Sequence, residues 1–224
     1  MGDREPLTAA AEQPAEEQLA QTFEVRDGPA DDRLTRVLHQ LGDLDRAVYT
    51  AVAATPTPDI DAPIRRLSHT ADKSLLWLGI AAAIAVFGGP SGRRAAARGL
   101  LTVAVTSAIV NLGVKSLYAR RRPDRAGAGV PADRQVEMPS SRSFPSGHSA
   151  SGFAFAASVG RDLPPLALPL HFLAGAVAYS RVHTGVHYPS DALIGSIIGA
   201  GVAEVFAGPS GRVLDAVSAA SGRS

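Results

Sequence analysis

The chain has 224 residues, a formal charge of +1 and no cysteine, so disulfides, Cys-ligated zinc, iron–sulfur clusters and thiol nucleophiles are excluded. The near neutrality joins two unlike halves. Residues 1–62 carry 13 of the 21 acids and 5 of the 22 bases, a net of −8, and the remainder carries a net of +9.

Residues 1–33 are acidic and too poor in large apolar groups to offset ordering entropy, so a disordered tail is expected. No basic stretch followed by an apolar one is found there, which argues against a secretory signal peptide. From Leu34 the pattern changes. Leu34, Val37, Leu38, Leu41, Leu44 and Val48 recur at helical spacing with polar residues between them. This predicts an amphipathic helix lying along a membrane surface or against a bundle. Prolines in the 55–63 stretch, TPTPDIDAP, should end it, leaving a helix and linker over 34–65.

Five apolar runs follow: Ser74–Gly88, Gly99–Val114, Ser149–Gly160, Leu163–Tyr179 and Ala192–Ala207. Five buried helices of a soluble bundle would still need a polar face for water, and these runs lack one. Gly195, Gly199 and Ala203 stand at every fourth position, which suits close packing of membrane helices. The expected fold is all-α, a polytopic membrane bundle of about five spanning helices with a tail at 209–224. A span takes roughly 20 residues, and the runs reach that only with their flanks.

Reactive residues gather at three ends of these runs. The first cluster holds Lys115, Arg120, Arg121, Arg122 and Pro123, where snorkelling to headgroups is the plain reading. No aromatic stacking platform accompanies these bases, so nucleic acid is not an expected partner. The second cluster is Ser143-Phe-Pro-Ser-Gly-His148-Ser149. Its loop amides at a helix start form an anion site, and His148 adds a proton donor, although an ordinary helix start would read alike. The third runs from Ser180 and Arg181 through His183 and His187 to Asp191. Arg181 offers a fork for phosphate oxygens, and Asp191 is spaced to hold one nitrogen of His187 and leave the other reactive. Dipole compensation at a helix start would also account for Asp191. A divalent metal on His183, His187 and Asp191 is a further reading, disfavoured by the surplus of cations.

Together, Lys-x6-Arg-Pro, Pro-Ser-Gly-His and Ser-Arg-x5-His-x3-Asp resemble the type 2 phosphatidic acid phosphatase superfamily. The likeness covers about residues 66–208 and is closest to small actinobacterial membrane members. The resemblance implies a metal-independent membrane phosphatase that acts on a lipid phosphate or polyprenyl diphosphate, without a cofactor. It implies that His187 attacks phosphorus to give a phosphohistidine, that Asp191 orients His187, and that His148 protonates the leaving oxygen and later activates water. Lys115, Arg122, Arg181 and the amides of Ser146, Gly147 and His148 would bind the phosphoryl oxygens. Arg120, Arg121 and Arg125 have no motif role and are expected to steer headgroups or lie in the interface. His39 and His69 are expected to be incidental, His171 to pack, and His183 to stand behind the site. The alternatives are a vanadate-dependent haloperoxidase-like enzyme and a non-catalytic phospholipid-binding membrane protein.

Alternating directions of the runs put all three clusters on one side of the bundle. Arg93, Arg94 and Arg98 fall on the other side, with the turn at 161–165. The positive-inside rule applied to those arginines puts the active site outside, and a raw count of bases gives the reverse. The family resemblance implies a cell-membrane protein with an extracytoplasmic active site, which is the expectation.

Overall fold

In the computed structural model, residues 30–117 and 119–207 are described. The tails expected at 1–33 and 209–224 lie outside them, except that residues 30–33 open the first helix. That helix, α1, is Ala30–Ala54. The prolines after it end α1 but do not make a linker. A second helix, α2 (Pro58–Thr70), starts almost at once, with Pro58 in its first turn and Pro63 inside it. Proline is at home in the first turn, where its missing N–H has no intrahelical partner, and Pro63 forfeits a single bond one turn later. Asp59 and Asp61 in the first turn offset the helix dipole.

A short turn, Asp72–Ser74, joins α2 to α3 (Leu75–Phe87) through a 64° bend. Two consecutive residues there, Lys73 (φ 51°) and Ser74 (φ 59°), occupy the left-handed region without being glycine. Next come α4 (Gly89–Ala108), its wider π-helical continuation Ile109–Val114, and a last turn at Lys115–Leu117. A loop leads to α5 (Gly147–Asp162), then α6 (Pro164–His183) and α7 (Pro189–Ala207).

The centre of the bundle is α5, packed against α4, α6 and α7. Trp77 and Phe155, with ring centroids 5.3 Å apart, anchor a core completed by Ala95, Val103, Val159, Ala174 and Val177. Small residues set the crossing of α5 and α7. A Cβ on Gly195 would lie 2.4 Å from the Ser146 carbonyl oxygen, and one on Gly199 2.0 Å from that of Ala150. The two backbones therefore touch, as the four-residue spacing suggests.

Each of the five apolar runs is helical, but length and hydropathy together qualify only Gly89–Val114 and Pro189–Ala207 as spans. The bent pair Pro58–Thr70 and Asp72–Phe87 adds a third if it crosses as one unit. The short helix α5 is enclosed by its neighbours, so it is built of Ser, Gly and Ala rather than lipid-facing side chains. Its Ser158 and Ser151 approach Thr102 and Ser107 of α4 at 3.3 Å. The twenty-residue α6 has the length without the apolarity. Leu112, Leu168 and Phe172 are about four-fifths exposed, as side chains are where lipid replaces water.

Candidate active site

Helix directions bring the three clusters to one end of the bundle. Lys115 leaves the end of α4, His148 stands in the first turn of α5, and His187 lies in the turn between α6 and α7. Lys115, Arg122, Gly147, His148 and His187 line one cavity of about 330 Å³. At the far end of the bundle Arg98 pairs with Asp162 at 2.7 Å, and Arg161 pairs with Glu204.

Among the described residues no carboxylate lines the cavity, whereas three cations do: Lys115, Arg122 and Lys73. The chain has only these two lysines, and both face the same space. Burial lowers the Lys115 ammonium from its usual pKa, and the neighbouring Arg122 charge lowers it further. Burial also lowers Arg122. Cations crowded in this way gain from an anion placed between them.

His187 is 2% exposed, and burial first, then the charges of Arg122 and Arg181, push its pKa down to about 4 against the opposing pull of Asp191. The ring is therefore neutral at physiological pH. Its Nε2 lies 3.3 Å from Arg122 Nη1. A guanidinium can only donate, so Nε2 presents its lone pair and the ring proton sits on Nδ1. That nitrogen lies 3.5 Å from Asp191 Oδ2 without a hydrogen bond formed among the described residues. Such contacts commonly tighten when substrate binds.

Asp191 is held from all sides. Its Oδ2 accepts from Tyr188 N–H at 2.9 Å and from the Ser143 hydroxyl, and its Oδ1 accepts from Arg120 Nη1 at 2.8 Å. Arg120 also pairs with Asp45 of α1, whose Oδ1 accepts from Ser190 N–H at 2.8 Å. The Arg120 guanidinium stands 4.2 Å over the Tyr188 ring. Arg120 is thus a strut that ties α1 to the carboxylate behind His187, rather than a headgroup ligand at the interface. The expectation for Arg125 fails in the same way, because it donates to the carbonyls of Gly185 and Val136 at 3.3 and 2.7 Å. Arg121 is exposed.

Ser146 and Arg181 are placed differently from a simple phosphate cradle. The Ser146 N–H donates to the Asp191 carbonyl oxygen at 2.9 Å, and its side chain caps α5. The amides left to an anion at this end are those of Gly147 and His148, which have no intrahelical acceptor. Arg181 is 1% exposed and donates to the Ser68 hydroxyl at 2.6 Å, while its Nε–H is buried with no hydrogen-bond partner among the described residues.

His148 Nε2 is 2.9 Å from Asp72 Oδ1, a carboxylate that motif spacing does not reveal. His183 turns away, to Asp61 at 2.9 Å, where Arg134 also binds. The trio His183, His187 and Asp191 is therefore not assembled, and no group of three metal-ligating acids or histidines occurs among the described residues. His171 packs on Phe153 and bonds the Ala167 carbonyl. His69 stands 3.7 Å from Asp72 Oδ2 on the exposed side.

The family model of the PAP2 superfamily matches residues 96–208. Decaprenylphosphoryl-5-phosphoribose phosphatase of Mycobacterium tuberculosis is 37% identical over 161 residues, 71% of this chain and 86% of that protein. Its namesake in Mycolicibacterium smegmatis is 34% identical over 155 residues, 66% and 77% of the two chains. Among solved structures, the PAP2-type phosphatidylglycerolphosphate phosphatase of Bacillus subtilis superposes with a TM-score of 0.61 at 21% identity, covering 87% of this chain and 92% of the other. Aquifex aeolicus LpxE superposes at 0.57 and 20%, covering 72% and 93%. Both likenesses are of fold.

Proposed function

The chain belongs to the PAP2 superfamily, and on that footing we propose that it is a membrane lipid phosphatase working through a phosphohistidine on His187. The observation that carries this is the cavity itself. A neutral imidazole with its lone pair forward faces Lys115 and Arg122, with no carboxylate in the lining among the described residues.

In the first step His187 Nε2 forms a bond to phosphorus. The bond from phosphorus to the leaving oxygen breaks, its electron pair goes to that oxygen, and His148 supplies the proton. Positive charge developing on His187 is met by Asp191. In the second step the now neutral His148 takes a proton from water, and the water oxygen attacks phosphorus. The P–N bond breaks with its pair returning to Nε2. Phosphoryl transfer asks mainly for positioning and charge stabilisation. Lys115, Arg122, the amides of Gly147 and His148, and the partnerless Arg181 Nε–H are the groups that would supply it.

For the substrate, the similarity to decaprenylphosphoryl-5-phosphoribose phosphatases over most of their length favours a phosphomonoester carried on a polyprenyl-linked headgroup. The exposed Arg93 and Arg94 at the end of the bundle opposite the cavity favour an extracytoplasmic active site in the cell membrane. Labelling of Ala128→Cys from the cytoplasmic side alone would reverse that orientation.

The test of function is phosphate release by purified protein from a panel of lipid phosphates in EDTA. Activity that survives chelation and is lost in His187→Ala supports the reading. Activity abolished by EDTA, or retained in His187→Ala, overturns it.

A further inference from the structure

The strained corner between α2 and α3 reaches the site from outside the matched family segment, which begins at residue 96. Asp72 sits at that corner with its Oδ1 2.9 Å from His148 Nε2 and 3.5 Å from Arg181 Nη1. Two non-glycine residues at positive φ follow it directly, and both Lys73 and Ser74 line the cavity. Backbone strain of this kind persists only where surrounding contacts over-determine it, and it concentrates at working sites. A bend formed merely to turn the chain would not need to aim a carboxylate at a half-buried imidazole.

We propose that Asp72 is the positioning carboxylate of His148, making the site a pair of Asp–His couples rather than one. The proposal rests on the phosphohistidine reading above. A carboxylate only accepts, so Nε2 of His148 carries a proton and Nδ1 is the nitrogen left for the leaving oxygen. The same charge favours the protonated ring that acts as acid in the first step. The other charged groups around this couple are Lys115 and Arg181 near His148, and His69 beside Asp72. Burial first, and then both cations, lower His148 from its ordinary value, and Asp72 is the group that opposes them. Asp191 does the complementary task on the other side, since it orients a ring that must stay neutral until it attacks. One carboxylate thus serves the acid and another the nucleophile. They come from elements 119 positions apart, Asp72 and Asp191.

The experiment is the pH profile of kcat for phosphatidate in detergent micelles, for full-length wild type, Asp72→Asn, Asp72→Ala, Asp72→Glu and His187→Ala. Loss of the carboxylate should lower kcat more than it alters KM and move the alkaline limb down by about one pH unit or more. Asp72→Glu should restore the limb at least in part. Asparagine and alanine variants report the same quantity, so either one recovered folded is sufficient. A kcat lowered equally at every pH, with the limb unmoved, would show that Asp72 only braces the corner and would overturn the proposal. Activity retained in His187→Ala would instead remove the reading on which the proposal rests.

Discussion

Replacing Asp191 by asparagine asks how much of the nucleophile is made by the carboxylate behind it. Every neighbour of that carboxylate is a donor: Arg120 Nη1 at 2.8 Å on Oδ1, Tyr188 N–H at 2.9 Å and the Ser143 hydroxyl on Oδ2, and His187 Nδ1 at 3.5 Å. An amide has one acceptor oxygen and one donor nitrogen in the same outline. With its oxygen on Arg120, the amide nitrogen faces Tyr188, Ser143 and His187. The ring proton of His187 must then leave Nδ1 for Nε2, and the lone pair that attacks phosphorus is gone. The equivalent tautomer change in a Ser-His-Asp triad costs about 10⁴ in kcat. With the amide reversed, its NH₂ meets the Arg120 guanidinium and a charge-assisted bond is lost, roughly 1.5–3 kcal/mol or 10- to 150-fold. The expected fall in kcat therefore lies between about 10 and 10⁴. The assay is phosphate release from micellar lipid phosphate at pH 7, on protein that elutes as wild type does. A variant within about threefold of wild type would mean that Asp191 merely caps α7, and the reasoning would be refuted.

The buried neutral His187 should make stability depend on acid. Its folded-state pKa, about 4, lies below the ordinary value near 6.5, so the unfolded chain takes up a proton that the fold refuses. Stability is full above about pH 6.5 and declines as pH falls toward 4. The thermal midpoint of wild type should drop more steeply over that window than that of His187→Gln, and parallel curves would contradict the assignment. Arg120→Ala should cut kcat by about 10- to 100-fold, the order expected for a buried charge-assisted strut. A change confined to KM would mean instead that Arg120 binds substrate. Gly199→Ala places a methyl 2.0 Å from the Ala150 carbonyl oxygen, whereas Gly201→Ala meets nothing within 4 Å. The first should lose about 1–3 kcal/mol and the second almost none, read as thermal midpoints in detergent.

The residues facing the cavity were legible because they belong to short local patterns. Lys115, Arg122, Gly147, His148 and His187 each stand a few positions from other motif residues, and the alternation of apolar runs is enough to bring them to one end. Their supports were not legible. Asp45 meets Arg120 across 75 positions and Asp72 meets His148 across 76, so each carboxylate reads in sequence as an ordinary polar residue of its own segment. Arg120 was misread for a related reason. Beside Arg121 and Arg122 it looks like one of three basic residues at a membrane edge, and only the fold separates the strut from the exposed cation. Pro58 misled in another way, since a proline is welcome at a helix start, and Pro63, inside α2, forfeits a single bond without ending the helix. The number of spans was hidden by α5. Enclosure by three neighbours lets a helix do without lipid-facing side chains.

The central claim is a covalent bond between His187 Nε2 and phosphorus. The most direct measurement is rapid acid-free quenching of enzyme mixed with a substrate radiolabelled in its terminal phosphate, followed by peptide mapping. The account predicts label on the peptide containing His187, stable in base and lost in acid, absent from His187→Ala. Label should accumulate in His148→Ala when the leaving group departs without help. Turnover with no labelled protein in wild type or in His148→Ala, or label on any other residue, would contradict it.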